Sequence, residues 1–537
     1  MRPAAALIII CTIVCALGLA LRLPMMVQPM GIDQGIFTAA AWGMSQGDML
    51  YRGLWDQKPP GIHLLYRAAI ALFGPHETTV FWMDFLAAVT TTALLGVVGW
   101  RLARPAAGLA AAVIYAVLGL PTVRYGAGGF LERAVPETFI PVCVLAGAAL
   151  LLSRRRGTRA FLIAGVCFGC AALLKPTALI YWLAMLIAIP RAEGPQPGEW
   201  KHLLVWTAAG IAAPLLIVFL WLWNGGALHD AWVAVVDYNR AYVGVGATLW
   251  QFADRFVHEV WRLTKTDPLW LVGMASLVVA AIGWRIERRL DWAVVAGWLW
   301  LTASIVAAAA NGTRVYSTYF QQCLPALALV AGVVAAGHSP AAARARWRYA
   351  ALAAVLVIGA WRVQKAAVIE RVSAALTADL GQWRAAPRDE EARLRYLERF
   401  GSYAAGRGFS ARANAELSDF LAVHRLPNGS LPNGQRIYIF GMAPGVYFTS
   451  RLMPAQRFLW IGPAASNLLP DPSFTLDTVA ADLERTRPGF IILERNNRDS
   501  LLGWRAEERF TVPAMRRVLE QYDQVAEIED FVLYRRR

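Results

Sequence analysis

Long apolar stretches that alternate with short arginine-rich loops most strongly constrain how this chain folds. A hydrocarbon core about 30 Å thick takes roughly 20 helical residues to cross. Eleven stretches approach this length, namely residues 5–23, 80–100, 105–120, 136–152, 159–174, 176–190, 202–222, 269–284, 291–310, 321–338 and 349–362. The first exceeds a signal-peptide core and ten others follow it, so we interpret it as a retained anchor. The pattern predicts a polytopic α-helical membrane protein with about 11 transmembrane helices.

Composition agrees with a membrane protein and excludes two other classes. Hydrophobic residues make up 57% of the chain and charged residues only 17%, whereas soluble domains average about 25% charged residues. The high hydrophobicity also excludes intrinsic disorder. The formal charge of +15 is concentrated between apolar stretches, which favours membrane contact over nucleic acid as its explanation. All six cysteines lie within apolar stretches, so no disulfide framework is indicated.

Basic residues recur in every second short loop and set the predicted orientation. The clusters are Arg101 and Arg104; Arg154, Arg155, Arg156 and Arg159; Arg191 and Lys201; Arg285, Arg288 and Arg289; and Arg344, Arg346 and Arg348. Positively charged loops face the cytoplasm. We therefore expect a multi-pass protein of the inner or plasma membrane, with its amino terminus in the cytoplasm and everything after residue 363 outside.

The predicted outer segments contain structure of their own. Residues 34–46 follow Asp33, a candidate N-cap, and residues 61–73 follow two prolines. Both segments have the apolar spacing of a helix but are too short to cross a membrane, so we expect them to lie in the interface.

The composition shifts after residue 362, and we therefore predict a membrane domain at 1–362 and an extracytoplasmic domain at 363–537. Solvated helices are indicated up to about residue 425. Buried strands are predicted at 436–440, 489–494 and 531–534, helices at 475–486 and 513–521, and a loop at 427–434. The carboxyl-terminal domain is thus expected to be a small α/β domain.

The first outer loop carries the residue types that transfer from a lipid-linked phosphate requires. Asp33 lies ten residues beyond the first apolar stretch, and Lys58 precedes Pro59 and Pro60 on the same loop. Proline restricts the preceding backbone to extended geometry, so Lys58 is expected to be held in place. A carboxylate can accept the proton of an incoming hydroxyl, and a cation can stabilise a departing phosphate. Taken singly, each residue also has an ordinary interpretation, Asp33 as a helix cap and Lys58 as a headgroup contact.

Three features resemble the GT-C glycosyltransferases, in the branch of the protein O-mannosyltransferases and lipid A aminoarabinose transferase. They are the first-loop carboxylate, the run Trp55-Asp-Gln-Lys58-Pro-Pro-Gly61, and Tyr319-Phe-Gln-Gln-Cys-Leu-Pro325 at the start of a late stretch. The resemblance covers roughly residues 1–362. It implies a GT-C-like fold, a polyprenyl-phosphate-linked sugar donor, inverting transfer and an extracytoplasmic active site. It also implies that Asp33 is the base and that Lys58 lies beside the donor phosphate.

The chain departs from this family pattern at two positions. Gln34 stands where many relatives have a second acidic residue, and Gln57 stands where the aminoarabinose branch has glutamate. Gln34 can orient a substrate but cannot ionise. Gln57 weakens the prediction of an aminoarabinose substrate in particular.

Further site residues are predicted with an ordinary alternative beside each. Glu137, with Glu132 as its competitor, matches an acidic residue that the family has at the start of the fourth span, and it would be costly in the membrane unless it faced a wet cavity. Arg240 is a candidate second phosphate ligand or a headgroup contact. Lys175 either faces the same cavity or reaches the membrane surface. The candidate substrate-binding residues are Gln34, Trp55, Tyr242 and Tyr319.

The sequence thus predicts a glycosyltransferase of the cell envelope that transfers a sugar from a polyprenyl phosphate to a hydroxyl of a glycan, glycolipid or protein. Two alternatives are a transporter or flippase of lipid-linked sugar and a non-catalytic scaffold. Transporters usually show repeats and broken helices around a mid-membrane site, whereas here no repeat is visible and the charged candidates cluster in outer loops. No ligand cluster demands a metal, although a divalent ion is left open, and nucleic acid is not an expected partner.

The orientation gives a testable prediction. A reporter that is active only in the cytoplasm should be inactive when fused after Arg537, because an odd number of spans places that end outside. The same reporter fused after Arg104 should be active and serves as the control. An active fusion at Arg537 would reverse the predicted orientation.

Overall fold

Two compact units make up the described part of the chain. The computed structural model describes residues 3–121, 126–153, 157–193, 199–245, 248–287, 292–312, 314–336, 353–354, 357–361, 364–365, 367–385, 389–403, 408–424, 436–499 and 502–537. The first unit comprises Met1–Met26, Trp82–Val218 and Thr248–Thr377, and the second comprises Val27–Phe81, Phe219–Ala247 and Ala378–Arg537. These units interleave along the sequence, whereas composition predicts consecutive domains at 1–362 and 363–537, a division that stays a prediction.

A helix occupies each of the first ten predicted apolar intervals. The helices are α1 (Pro3–Ala20), α4 (Thr78–Leu102), α5 (Pro105–Leu118), α6 (Pro136–Leu151), α7 (Thr158–Leu174), α8 (Leu179–Glu193), α9 (Glu199–Asn224), α11 (Pro268–Glu287), α12 (Trp292–Ala309) and α13 (Leu324–Ala336). An amphipathic helix, α10 (Leu249–Thr266), precedes α11. Short 3-10 turns at Pro176–Ala178 and Ser317–Cys323 precede α8 and α13.

Six helical segments within the described residues are long and apolar enough to cross a membrane. They are Ala5–Val27, Thr78–Leu102, Trp200–Asn224, Pro268–Arg285, Trp292–Ala309 and Ser317–Ala336. The chain is an integral multi-pass membrane protein, and the total of about 11 spans stays a prediction. Half of the interval 349–362 lies outside the described residues, as do the basic residues Arg154, Arg155, Arg156, Arg288, Arg289, Arg344, Arg346 and Arg348.

Small residues allow the helices of the first unit to pack closely. A Cβ atom on Gly332 of α13 would lie 2.6 Å from the backbone nitrogen of Ala111 on α5. Likewise, a Cβ on Gly99 of α4 would lie 2.8 Å from the Cα of Gly108 on α5. Backbones approach closely at small residues in membrane helices, and the contacts made there replace the missing hydrophobic driving force.

The two helices predicted in the first outer loop are confirmed, with a correction at the start of the first. They are α2 (Ile32–Ser45) and α3 (Pro60–Phe73). Asp33 is not the N-cap of α2: Gly31 occupies that position, and its backbone N–H donates to the Oε1 atom of Gln34. The prediction was wrong because glycine is also accepted at N-caps and a glutamine three residues later satisfies its N–H. Asp33 lies within the first turn instead.

The carboxyl-terminal segment contains the small α/β region that the sequence predicts. Its helices are α14 (Val368–Arg384), α15 (Glu390–Leu397), α16 (Ala411–Val423), α17 (Gly445–Ser450), α18 (Leu476–Thr486) and α19 (Pro513–Leu519), with shorter turns at Gly462–Ala465 and Ala506–Phe510. The strands of its four-stranded sheet are β1 (Ile437–Phe440), β2 (Phe490–Glu494), β3 (Tyr522–Ile528) and β4 (Phe531–Arg536), and two shorter strands, Arg498–Asp499 and Trp504–Arg505, pair with each other in a separate antiparallel sheet. The sheet order is β1-β2-β4-β3, with β1 and β2 parallel and the other pairs antiparallel. The predicted loop 427–434 lies outside the described residues.

A buried carboxyl group ends the central strand β2. Glu494 accepts hydrogen bonds from the Tyr403 hydroxyl and from the backbone N–H of Met442, both at 2.5 Å. Burial raises the pKa of Glu494 from 4.5 to about 7, more than these hydrogen bonds lower it. The neutral acid is therefore the form that the folded sheet prefers.

The raised pKa of Glu494 predicts a sheet that loses stability as the pH rises. An acid whose pKa is higher when folded stabilises the fold fully below its unfolded value near 4.5, and this contribution is lost by about pH 7. At about 1.4 kcal/mol for each pKa unit, the difference amounts to about 3 kcal/mol. Hydrogen exchange of peptides covering β1 and β2 should therefore show Glu494→Gln gaining stability relative to the wild type between pH 5 and pH 8.

An exposed glutamate of the same region supplies the control for this measurement. Glu484 on α18 is exposed, so Glu484→Gln should follow the wild type at every pH. Parallel stability profiles for Glu494→Gln and wild type would show that Glu494 does not titrate with folding in this range.

Candidate active site

Asp33 is held on a helix that packs against the helix following Lys58. The Asp33 side chain is half-buried in the first turn of α2, where a carboxylate interacts favourably with the helix dipole. Phe37, one turn later, packs edge-on against His63 and Tyr66 of α3, with ring centroids 5.6 and 5.5 Å apart. The α2–α3 contact therefore fixes the base candidate relative to the start of α3.

The backbone around Lys58 is tied down by two separate side chains. The Tyr51 hydroxyl donates to the carbonyl of Lys58 at 2.8 Å, and the Asn239 amide donates to the carbonyl of Gln57 at 2.8 Å. Pro59 is the N-cap of α3 and Pro60 its first residue, a position for which the fixed φ of proline is well suited. The backbone that carries the half-buried Lys58 side chain is thus held by two hydrogen bonds and by the prolines that follow it.

A buried contact between a carboxylate and an imidazole also supports the Lys58 loop. Asp56 and His63 are both buried, at 2% and 0% exposure, and His63 Nε2 lies 3.2 Å from Asp56 Oδ2 without forming an aligned hydrogen bond. The other carboxylate oxygen of Asp56 accepts the backbone N–H of Gln57 at 2.8 Å. The contact joins the residues just before Lys58 to the first turns of α3.

Trp55 is the centre of an aromatic cluster. Its ring is 1% exposed and meets the rings of Tyr238, Phe458 and Phe474 at centroid distances of 4.9, 5.5 and 5.5 Å. Tyr242 stacks on Tyr238 at 6.0 Å. Because its ring is covered by protein, Trp55 supports the loop in this structure, and its predicted contact with substrate stays a prediction.

The segment 228–243 carries the polar aromatic residues that the sequence singles out. It begins as a helical turn at Leu228–Trp232, widens to a π-helix at Val233–Tyr238 and ends as a helical turn at Asn239–Val243. This arrangement directs Tyr238 to Trp55 and Asn239 to Gln57. Arg240 is exposed and Tyr242 half-buried.

Glu137 and Tyr319 belong to the first unit, where they meet a buried lysine. Glu137, on the first turn of α6, is 2% exposed and forms an ion pair with Lys175. The Lys175 ammonium also donates to Asn311 Oδ1 at 2.8 Å and lies 4.5 Å from the centre of the Tyr319 ring. Lys175 is thus buried and surrounded by a carboxylate, an amide and an aromatic ring. The alternative prediction, that its side chain reaches the membrane surface, is wrong.

The structure therefore divides the predicted site residues into two groups. Asp33, Gln34, Trp55, Lys58, Arg240 and Tyr242 belong to the second unit, and Glu137 and Tyr319 to the first. Gln34 is fully buried and its side chain is used in the cap of α2. Among the described residues, no group of three or more His, Cys, Asp or Glu side chains is placed to hold a metal ion.

Four residues that support the site were not predicted as site residues from sequence. Tyr51, Asp56 and His63 hold the Lys58 loop, and Asn311 holds Lys175. No sequence spacing reveals these contacts, because each partner is set by how the chain folds back. Asn239 had a signal, since it directly precedes Arg240, which the sequence predicts as a site residue.

The fold agrees with solved membrane glycosyltransferases. ArnT from Cupriavidus metallidurans, bound to undecaprenyl phosphate, superposes with a TM-score of 0.53 over 99% of this chain and 97% of that chain, at 14% sequence identity. Its apo form gives a TM-score of 0.54 with the same identity and coverage. The arabinofuranosyltransferase AftD from Mycobacteria gives 0.50 at 14% identity, over 98% of this chain and 39% of that chain.

This chain has the GT-C fold. The sequence prediction of a GT-C-like membrane protein with a small carboxyl-terminal α/β region is thereby confirmed. The family model for dolichyl-phosphate-mannose-protein mannosyltransferases matches residues 57–223, a segment that begins immediately before Lys58. No curated protein matches the sequence.

The buried pair of Glu137 and Lys175 predicts strong coupling between the two residues in this GT-C chain. Breaking a buried ion pair on one side typically costs 3–5 kcal/mol, about 4 kcal/mol in the middle of that range, whereas replacing both partners costs much less. Thermal unfolding in detergent should therefore show that Glu137→Gln with Lys175→Met is more stable than Lys175→Met alone. If the double variant lost as much stability as the two single variants together, the pair would not be coupled.

Proposed function

We propose that this chain is an integral-membrane inverting glycosyltransferase that moves a sugar from a polyprenyl-phosphate donor to a hydroxyl acceptor on the extracytoplasmic face. Three independent features support it: the GT-C fold, the family match beginning at Gln57, and the packing of the helix that carries Asp33 against the helix that begins just after Lys58. The ArnT structure contains undecaprenyl phosphate, which supports a donor of the same lipid class here.

The observation that carries the proposal is the double anchorage of the Lys58 loop. Hydrogen bonds from Tyr51 and Asn239 hold two consecutive carbonyls, those of Lys58 and Gln57. A lysine that only contacts headgroups needs no such support, because its flexible stem finds the interface unaided. A lysine that must meet a phosphate at one place gains from a fixed backbone, since preorganised charge costs no rearrangement during the reaction.

In the proposed mechanism, the acceptor oxygen attacks the anomeric carbon as the bond from that carbon to the phosphate oxygen breaks. Asp33 takes the proton of the acceptor hydroxyl. Lys58, with exposed Arg240 as a second cation, stabilises the negative charge that develops on the departing lipid phosphate. Attack from the face opposite the phosphate inverts the anomeric centre. A divalent metal would add to this charge stabilisation, and these steps do not depend on one.

The grouping of the second unit supports a reaction outside the cytoplasm. This unit combines the first loop, the segment 219–247 and the carboxyl-terminal segment. The arginine pattern independently predicts that all three lie on the outer side. The grouping of the three segments in one unit supports the prediction that they lie on the same side.

The proposal predicts different effects for substitutions at Asp33 and Lys58. Asp33→Asn keeps the size of the side chain but cannot accept the proton, so it should abolish transfer and leave binding of polyprenyl phosphate near that of the wild type. Lys58→Ala should weaken both, because a charge-assisted hydrogen bond contributes about 1.5–3 kcal/mol, or roughly ten- to hundredfold in affinity. Lys58→Arg should recover part of the loss, since its bulkier planar head reaches a different point.

Lipid-phosphate affinity and single-turnover transfer, measured in nanodiscs, would test this pattern. Lys265 provides the matched control because it is an exposed lysine resting over the Trp261 ring, 4.4 Å from its centre, and Lys265→Ala should change neither quantity. Wild-type transfer by Asp33→Asn would remove Asp33 from the mechanism. Unchanged binding and transfer in Lys58→Ala would exclude Lys58 as the phosphate ligand, and binding without any transfer by the wild type would favour a transporter.

A further inference from the structure

The second unit contains a cavity of about 520 Å³ to which the mechanism proposed above assigns no role. Its walls come from two parts of the first loop, residues 27–32 and 75–78, and from α15, α16 and α17. Sites for small ligands in proteins usually measure about 300–1,000 Å³. The cavity is therefore large enough for a ligand of two or three sugar units.

This cavity begins at the first turn of the helix that carries Asp33. Gly31 and Ile32 line it, and Asp33 follows directly. On the same turn, a Cβ atom on Gly35 would lie 2.7 Å from the backbone nitrogen of Gly445, so α2 rests directly on the start of α17. Asp33 itself does not line the cavity, but a molecule bound there would lie beside the helical turn that contains this residue.

The part of the wall formed by Asn414, Ser418 and Thr449 offers mainly hydrogen-bond acceptors. Ser418 Oγ donates to the carbonyl of Asn414 at 2.7 Å and lies 2.6 Å from Thr449 Oγ1, so these hydroxyl groups already use their protons within the protein. Within the part of the chain that the structure describes, the buried Oδ1 atom of Asn414 has no hydrogen-bond partner. A buried acceptor without a partner is costly, and a ligand rich in hydroxyl donors would satisfy it.

The charged side chains of the cavity balance one another. Arg393 pairs with Asp419 at 3.1 Å, and the Arg451 guanidinium stacks over Phe448 at 4.6 Å. Glu77 supplies a second carboxylate against the two arginines, and His76 also lines the cavity. Because neither sign dominates, the cavity favours a neutral ligand over a phosphorylated glycolipid. The half-buried ring of Phe409 supplies an apolar face of the kind on which sugars pack.

From these features we infer that the cavity binds the acceptor, and that the acceptor is a neutral oligosaccharide. The inference rests on the proposed glycosyltransferase function and assigns its second substrate to the carboxyl-terminal segment. The sugar unit that receives the transfer would reach from the cavity past Gly31 toward Asp33, while neighbouring units occupy the wall of Asn414, Ser418 and Thr449.

An array of immobilised neutral di- to tetrasaccharides, anionic oligosaccharides and serine-rich peptides tests this inference on the full chain in detergent. The wild type should bind neutral oligosaccharides in preference to the other two classes. Asn414→Leu and Thr449→Val should each reduce that binding at least tenfold. Binding to none of the neutral glycans, or preferential binding to anionic glycans or peptides, would overturn the inference.

The chain offers a matched control for the threonine variant. Thr449 and Thr486 are both half-buried and both donate to the carbonyl four residues earlier, but Thr486 does not line the cavity. Thr486→Val should therefore bind the array as the wild type does. Equal losses in Thr449→Val and Thr486→Val would indicate a folding defect and, like unchanged binding in the cavity variants, would count against the cavity as the site.

The same proteins separate this inference from the proposed function. Asp33→Asn should bind the neutral glycans like the wild type while failing to transfer. Transfer by Asp33→Asn, with glycan binding still lost in the cavity variants, would overturn the mechanism and leave the cavity assignment intact. If instead the cavity variants bound glycans like the wild type and Asp33→Asn lost transfer, the cavity assignment would be overturned and the mechanism would stand.

Discussion

The contact between Gly35 and Gly445 is the constraint on which the arrangement of the second unit depends. A Cβ atom at Gly35 would lie 2.7 Å from the Gly445 nitrogen, so only glycine permits the first loop to rest on the carboxyl-terminal segment at this point. The contact lies one half-turn from Asp33 and immediately beside the cavity. A segment more than 400 residues along the chain therefore sets the surroundings of the candidate base.

The elements that hydropathy specifies could be predicted from the sequence, and those that depend on distant partners could not. Helices α4 and α9 follow from apolar runs near the thickness of a bilayer. Strand β3 was missed because it lies at the sheet edge with most of its side chains exposed, so its sequence lacks a buried face. The cap of α2 was missed because Gly31 and Gln34 satisfy it jointly, a solution that a search for short polar caps overlooks.

The candidate site shows the same limit. Asp33 and Lys58 could be proposed because their residue types, order and neighbouring prolines carry chemical meaning without a structure. Which side chains hold them could not, since the hydrogen bond from Asn239 to Gln57 joins residues 182 positions apart. The two lysines also differ in a way that sequence hides: Lys175 is surrounded by Glu137, Asn311 and Tyr319, whereas the loop of Lys58 is held through its backbone.

The π-helix at Val233–Tyr238 makes the length of its segment as important as its composition. A π-helical turn contains one residue more than the α-helix it interrupts, and each α-helical residue advances the chain by about 100°. Removing a single residue from this turn would return it to α-helical register and rotate Asn239 away from the Gln57 carbonyl and Tyr238 away from Trp55. Natural relatives that keep the contacts of Tyr238 and Asn239 should vary in the other side chains of the turn, yet seldom in the number of residues it contains.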